Sequence, residues 1–136
     1  MTLQELSQHY DLRRKLKKDE GILAALREAA YPKSPVLSDM PHAPGVRDKV
    51  GDLAVEIADM SERVRYLREE IARQEQEVEA FISSIQDEYT ALLFRLRFLR
   101  CLTWGEVAGV VGGSNTEDGV KSTCYRYLAS LEIATA

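Results

Sequence analysis

Residues 103–131 read TWGEVAGVVGGSNTEDGVKSTCYRYLASL, and their spacing predicts two helices joined by a tight turn. Thr103 followed three positions later by Glu106 has the spacing of a capping box, in which hydroxyl and carboxylate satisfy each other's backbone donors at a helix start. The first helix is expected to open at Trp104, with Val107, Val110 and Val111 as its apolar face and Ala108 small enough to let a neighbouring helix cross closely. Gly112-Gly113 then stops it, because glycine takes the positive φ that a helix end commonly requires. Ser114 with Glu117 repeats the Ser/Thr-x-x-Glu spacing, so a second helix is expected from near Asn115, with Thr116 as a rival cap. Val120, Cys124, Leu128 and Leu131 recur at helical spacing and are expected to pack inward.

That placement leaves Asn115, Thr116, Asp118, Lys121, Ser122, Tyr125 and Arg126 facing out. Upstream, Asp87 to Leu102 carries Leu92, Leu93, Leu96 and Leu99, a third helix on which the pair can rest. Three helices with a short turn between the last two make a helix-turn-helix, whose final helix enters a major groove. The residues expected to meet DNA are Asn115, Thr116, Lys121, Ser122, Tyr125 and Arg126, with the two cations on phosphates or base edges. The plainer alternative is an ordinary helical hairpin, since capping boxes and apolar spacing occur in every helical protein.

A second pattern lies in the middle of the chain. Leu53, Ile57, Met60, Val64, Leu67, Ile71, Gln74, Val78, Phe81 and Ile85 step by alternating fours and threes, a coiled-coil stripe. β-Branched residues at every a position would favour a parallel dimer, but in-register pairing would set Arg63 against Arg68 and Glu70 against Glu75 of a second copy. A partner within the chain suits the charges better. Residues 2–30 also read as helix, with Leu12, Leu16, Leu23, Leu26 and Ala30 at heptad spacing and Asp19 as the one polar interruption. Laid antiparallel, this helix sets Arg13 by Glu75, Lys15 by Glu77 and Glu20 by Arg68. The link Tyr31 to Gly45 holds all four prolines and no helical period, so residues 31–45 are expected to be a crossover loop.

The fold expected is therefore all-α, with a long antiparallel helical hairpin over residues 1–86 and a three-helix helix-turn-helix domain over 87–136. Composition agrees: of 136 residues 45% are hydrophobic and only 7% aromatic, as in a Leu/Ala/Val-rich helical protein. The formal charge of −4 is unevenly spread. Residues 1–50 sum to +2, residues 51–88 to −7 and residues 89–136 to +1, so acidity sits away from the expected DNA surface. A charge of +1 is still a weak electrostatic footprint for a phosphate binder, and a second copy or another DNA-bound protein is expected to supply the rest.

Two segments also carry a family resemblance. LRCLTWGEVA at 99–108 and GGSNTEDGVK at 112–121 resemble the sigma-70 region 4-like domain, and more narrowly the small phage and prophage proteins that carry it behind a long helical N-terminal part. The Ser-Pro and Asp-Met-Pro segment near residues 34–41 resembles that group too, although the close match is confined to the last third of the chain. The resemblance implies a late-gene or sigma-like transcription regulator that binds double-stranded DNA and touches bacterial RNA polymerase. One departure is that Glu117 and Asp118 stand near the start of the recognition helix, where only Lys121 and Arg126 are strong cations.

Signatures of catalysis are not expected. His9 and His42 have no Cys or carboxylate at short zinc-ligand spacing, so neither metal nor cofactor is expected. Glu69-Glu70 and Asp87-Glu88 are adjacent pairs that point apart on a helix, and Gly112-Gly113 lacks the Gly-Lys-Ser/Thr of a phosphate loop. Cys101 and Cys124 fall on apolar faces and are expected to be reduced thiols in a cytoplasmic protein with no membrane span. Two other readings use the same parts. A phage DNA-packaging recognition subunit of small-terminase type would form a ring, and a coiled-coil structural or adaptor protein would keep the homo-oligomerising arm without binding DNA.

Overall fold

The computed structural model describes residues 1–31 and 49–135, and over these the chain is all-helical, with no strand. The crossover loop expected over 31–45 lies, from residue 32 onward, outside the described residues. Helix α1 spans Leu3–Ala30 and α2 spans Lys49–Ser83. They are followed by α3 (Glu88–Phe94), a π-helical turn over Arg95–Leu99, α4 (Trp104–Val111) and α5 (Glu117–Thr135).

The helix starts follow local chemistry. Thr2 Oγ1 accepts from the Glu5 amide at 3.2 Å to open α1. Asp87 opens α3, its carboxylate accepting from both the amide and the hydroxyl of Thr90 at 3.1 and 2.6 Å. The Thr90 hydroxyl, and then its amide, hold the Asp87 carboxyl below the usual Asp value. At α4 the expected capping box forms in both directions, with Glu106 N donating to Thr103 Oγ1 at 3.1 Å and Thr103 N to Glu106 Oε1 at 3.0 Å.

By packing, the chain falls into two compact units, Lys15–Arg68 and a second made of Met1–Arg14 with Glu69–Ala136. The boundary expected at 86/87 thus lies inside the second unit, because the first turns of α1 and the last turns of α2 share a core with the C-terminal helices. In the unit Lys15–Arg68, Glu20 meets Arg68 (3.6 Å) and Arg27 meets Ser61 (3.4 Å). Leu23, Ala30, Val64 and Leu67 are buried there, as the stripe predicts. Asp19, the polar interruption, is buried as well, and its Oδ2 has no hydrogen-bond partner. Lys15 and Glu77, the third ion pair expected, fall in different units.

The larger unit is built on Leu6 and Tyr10 from α1, Val78 and Ile82 from α2, and the inner faces of everything that follows. Its aromatic centre joins Phe94 to Phe81, Phe98 and Tyr127 with ring centroids 5.7 Å apart in each pair. His9 is also inside, 1% exposed. Arg13 Nε can only donate, so the 3.1 Å contact to His9 Nε2 fixes that nitrogen as the acceptor, and Nδ1 carries the proton it gives to Gln74 Oε1 at 3.0 Å. Gln74, the polar member of the coiled-coil stripe, is there to receive it.

Several expectations are corrected. Residues 87–102 do not form one helix. The backbone widens at Arg95, where Arg100 N bonds Arg95 O, and ends with Cys101 at φ 60 while Leu102 N reaches back to Leu96 O at 3.1 Å. That is a Schellman-type closure with a cysteine where glycine is usual. In α3 the inner face is Thr90, Leu93 and Phe94, which leaves Leu92 43% exposed, and past the widened turn Phe98 and Leu99 are buried. Val110, expected on the inner face of α4, is 63% exposed, because Val107 and Ala108 already fill the contact with the core. Ile85 is buried beyond the end of α2, not within it.

Two predictions follow from glycine and histidine. Gly109 is an exposed interior residue of α4 with open space around its missing β-carbon, whereas Gly112 ends that helix at φ 65. Gly109→Ala is expected to raise stability by about 0.5–1 kcal/mol and Gly112→Ala to lower it by about 1 kcal/mol, read as shifts in the urea midpoint. Burial, the largest effect, holds the His9 imidazole below its ordinary value of 6.5; the Gln74 hydrogen bond opposes it, and the lesser charges of Arg13 and Glu75 lower and raise it in turn. The unfolded chain therefore takes up a proton before the folded one does, and stability falls as pH drops below 6.5 until the lowered folded pKa is passed. The limiting slope for one proton is about 1.4 kcal/mol per pH unit. His9→Gln, which can keep both hydrogen bonds, is expected to flatten this slope in denaturation curves at pH 7.5, 6.5 and 5.5.

Candidate nucleic-acid interface

The surface in question is carried by α5 and set by what lies beneath it. Val120, Cys124 and Leu128 are buried at 1, 0 and 6% exposure, and they press α5 onto α3 and α4. Burial pushes the Cys124 thiol up to about 12, against a smaller opposing pull from Arg97, so it is an inert core group. With that face inward, Asp118, Ser122, Tyr125 and Arg126 are exposed and Lys121 is half-buried.

The turn before α5 is built from the residues that the sequence offered as caps. Gly112 and Gly113 both take positive φ, at 65 and 66°. Thr116 wins over Ser114 as the cap: its Oγ1 accepts from the Gly119 amide at 3.0 Å, and α5 opens at Glu117. Glu117 does not close a box with Ser114. Its Oε2 stands 3.7 Å from where a β-carbon on Gly105 would be, beside the first turn of α4, where the helix dipole favours an anion. Asp118 lies in the first turn of α5 and has the same electrostatic reason to be there.

Each expected contact residue has a definite environment. Asn115 is exposed, but its amide is engaged at both ends, Nδ2 donating to Gly112 O at 2.8 Å and Oδ1 accepting from the Tyr89 hydroxyl at 2.9 Å. It fastens the turn to α3. Thr116 has its oxygen in the cap and its hydroxyl proton available to an acceptor. Ser122 is exposed, and its carbonyl accepts from Arg126 Nε at 3.4 Å. Tyr125, 37% exposed, stands edge-on to Trp104 with centroids 6.2 Å apart, and Lys121 Nζ lies 5.5 Å from its ring centroid. Lys121, Ser122, Tyr125 and Arg126 thus share one accessible face, while Asn115 and Thr116 form its N-terminal margin.

The sequence reading missed what supports this face. Trp104 is 7% exposed and is gripped by Phe98 and Tyr125 edge-on and by the Arg97 guanidinium, whose Cζ is 4.6 Å from its centroid. Arg97 sits among leucines and phenylalanines in the stretch LLFRLRFLRCL, and an arginine inside an apolar run is the available signal. Arg95 and Arg100, at either side of the same turn, are exposed cations.

Among the described residues no three His, Cys, Asp or Glu side chains gather as metal ligands, and no helix is long and apolar enough to cross a membrane. Compared with known families, curated proteins and solved structures, the chain has no match.

The cap can be tested by itself. Thr116→Ala leaves the Gly119 amide without its acceptor and is expected to lower stability by about 1 kcal/mol, whereas Ser114→Ala is expected to change the denaturation midpoint hardly at all.

Proposed function

We propose that the chain is a sequence-specific DNA-binding transcription regulator of phage or prophage type. In this reading α4, the turn 112–116 and α5 act as a helix-turn-helix of the sigma-70 region 4-like kind, supported by α3, and α5 is the recognition helix. The observation that carries it is the division of α5 into a buried face of Val120, Cys124 and Leu128 and an accessible face of Lys121, Ser122, Tyr125 and Arg126. Amphipathic helices are common; what singles out this one is its position after a capped eight-residue helix and a five-residue turn fixed by two positive-φ glycines. Those are the parts a major-groove reader needs.

The mechanism is positioning, not catalysis. Lys121 and Arg126 reach phosphates or base edges, Thr116, Ser122 and Tyr125 add hydrogen bonds and van der Waals contact, and Asn115 orients the turn. The acids Glu117 and Asp118 keep to helix-start roles, which removes part of the objection that they repel DNA. Opposed pairing of α1 with α2, through Glu20 with Arg68 in one unit and Arg13 with Glu75 in the other, suits an antiparallel helical hairpin. That arm is the element for a second copy or for RNA polymerase in the cytoplasm of a bacterial host. Its contribution answers the low charge of the DNA-binding part, since linking two weak sites raises apparent affinity without new contacts.

A salt titration decides whether the two cations meet phosphate. Wild type is expected to retain duplex DNA at low salt, and Lys121→Ala with Arg126→Ala to weaken binding and reduce the log-log salt slope by about 2, with the melting temperature unchanged. An unchanged slope would remove both residues from the interface.

A further inference from the structure

Below the accessible face of α5 runs a ladder of rings and cations that lies wholly within the larger unit. The Arg97 guanidinium is stacked between Tyr10 of α1, 3.6 Å from its centroid, and Trp104 of α4. Trp104 meets Tyr125 edge-on, and Lys121 Nζ lies over Tyr125. At the opposite end Arg14 lies over the outer side of the ladder, its Cζ 5.2 Å from the Tyr10 centroid and its Nε donating to the Tyr10 hydroxyl at 2.6 Å. Arg97 also donates from Nη1 to Leu102 O at 3.1 Å, at the threshold of α4.

This is an expensive way to fill the space. Arg97 Nε is buried without a hydrogen-bond partner, and a side chain serving packing alone would be better as an apolar residue of equal length. What an apolar residue lacks is a flat cation that holds two ring faces in fixed planes. The Tyr125 hydroxyl makes no hydrogen bond among the described residues, and Trp104 is what limits its ring on the inner side.

We propose that Arg97 is a positioning residue for DNA recognition. Clamped against Tyr10, it fixes the plane of Trp104, and Trp104 in turn presents Tyr125 and Lys121 to the duplex. The first turns of α1 thereby govern the recognition surface without touching DNA. This rests on the DNA-binding reading, and its test separates the two.

Trp104 is the only tryptophan, so its emission reports the stack directly. Arg97→Met removes charge and plane while keeping length. It is expected to melt at or above the wild-type temperature, to change Trp104 emission, and to bind duplex DNA roughly 5- to 10-fold more weakly with an unchanged salt slope. Arg97→Lys, which restores the cation without the flat fork, is expected to recover part of the affinity. If Arg97→Met does not fold, Tyr10→Leu removes the other half of the clamp, with the same readouts and the same expectation. Variants that bind as tightly as wild type overturn the proposal, and so does a loss accompanied by a salt slope smaller by about 1, which would make Arg97 a phosphate contact. A wild-type protein that leaves DNA unbound at low salt overturns the DNA reading and this inference together. A wild-type protein that binds beside an unaffected variant overturns this inference alone.

Discussion

One guanidinium group ties together three segments far apart in sequence. Arg13 donates to His9 Nε2 on its own helix, to Glu75 Oε1 on α2 at 2.7 Å and to the Leu99 carbonyl at 2.8 Å, where the π turn ends. Arg13 is partly accessible and Glu75 more so, and ion pairs in such settings contribute little by themselves. Its importance is geometric. The Leu99 carbonyl marks the place where the chain leaves the π turn, passes the left-handed Cys101 and enters α4. By holding that carbonyl against α1 and α2, Arg13 fixes the direction in which α4 and then α5 set out. His9 must stay neutral to accept from Arg13, which makes the joint sensitive to acid.

Arg13 and Arg97 divide the work between them. The first grips the backbone at the end of the π turn, and the second grips the rings on either side of it. Both depend on α1, through His9 and Tyr10, which accounts for the first fourteen residues belonging to the same compact unit as the C-terminal helices. An N-terminal segment that looks in sequence like part of a separate arm is structurally a wall of the C-terminal core, with Leu6 wholly buried in it.

Much of this was legible because it depends on neighbours in sequence. The Thr103 and Glu106 box, the Gly112-Gly113 stop and the inward placing of Val120, Cys124 and Leu128 all follow from spacing, and so do the Arg13–Glu75 and Glu20–Arg68 pairs. What spacing could not supply depends on contacts made at a distance. A π turn has no composition of its own, so the break between α3 and the turn over Arg95–Leu99 was hidden. Spacing favoured Ser114 with Glu117 as the cap and Thr116 only as its rival, and the choice of Thr116 goes with a Glu117 that lies by α4 instead of reaching back to Ser114. Asn115 was legible as an outward residue but not as the tie to Tyr89, and the stacking of Arg97 needs Tyr10, 87 positions earlier.

DNA recognition of the proposed kind requires the accessible face of α5 to meet the duplex. The direct measurement is to follow backbone and indole resonances of isotope-labelled protein while duplex DNA is added at low salt. Shifts centred on Thr116, Ser122, Tyr125 and Arg126, with a smaller one at the Trp104 indole, are the predicted result. Shifts confined to the two long helices, or a spectrum that does not change, would contradict it.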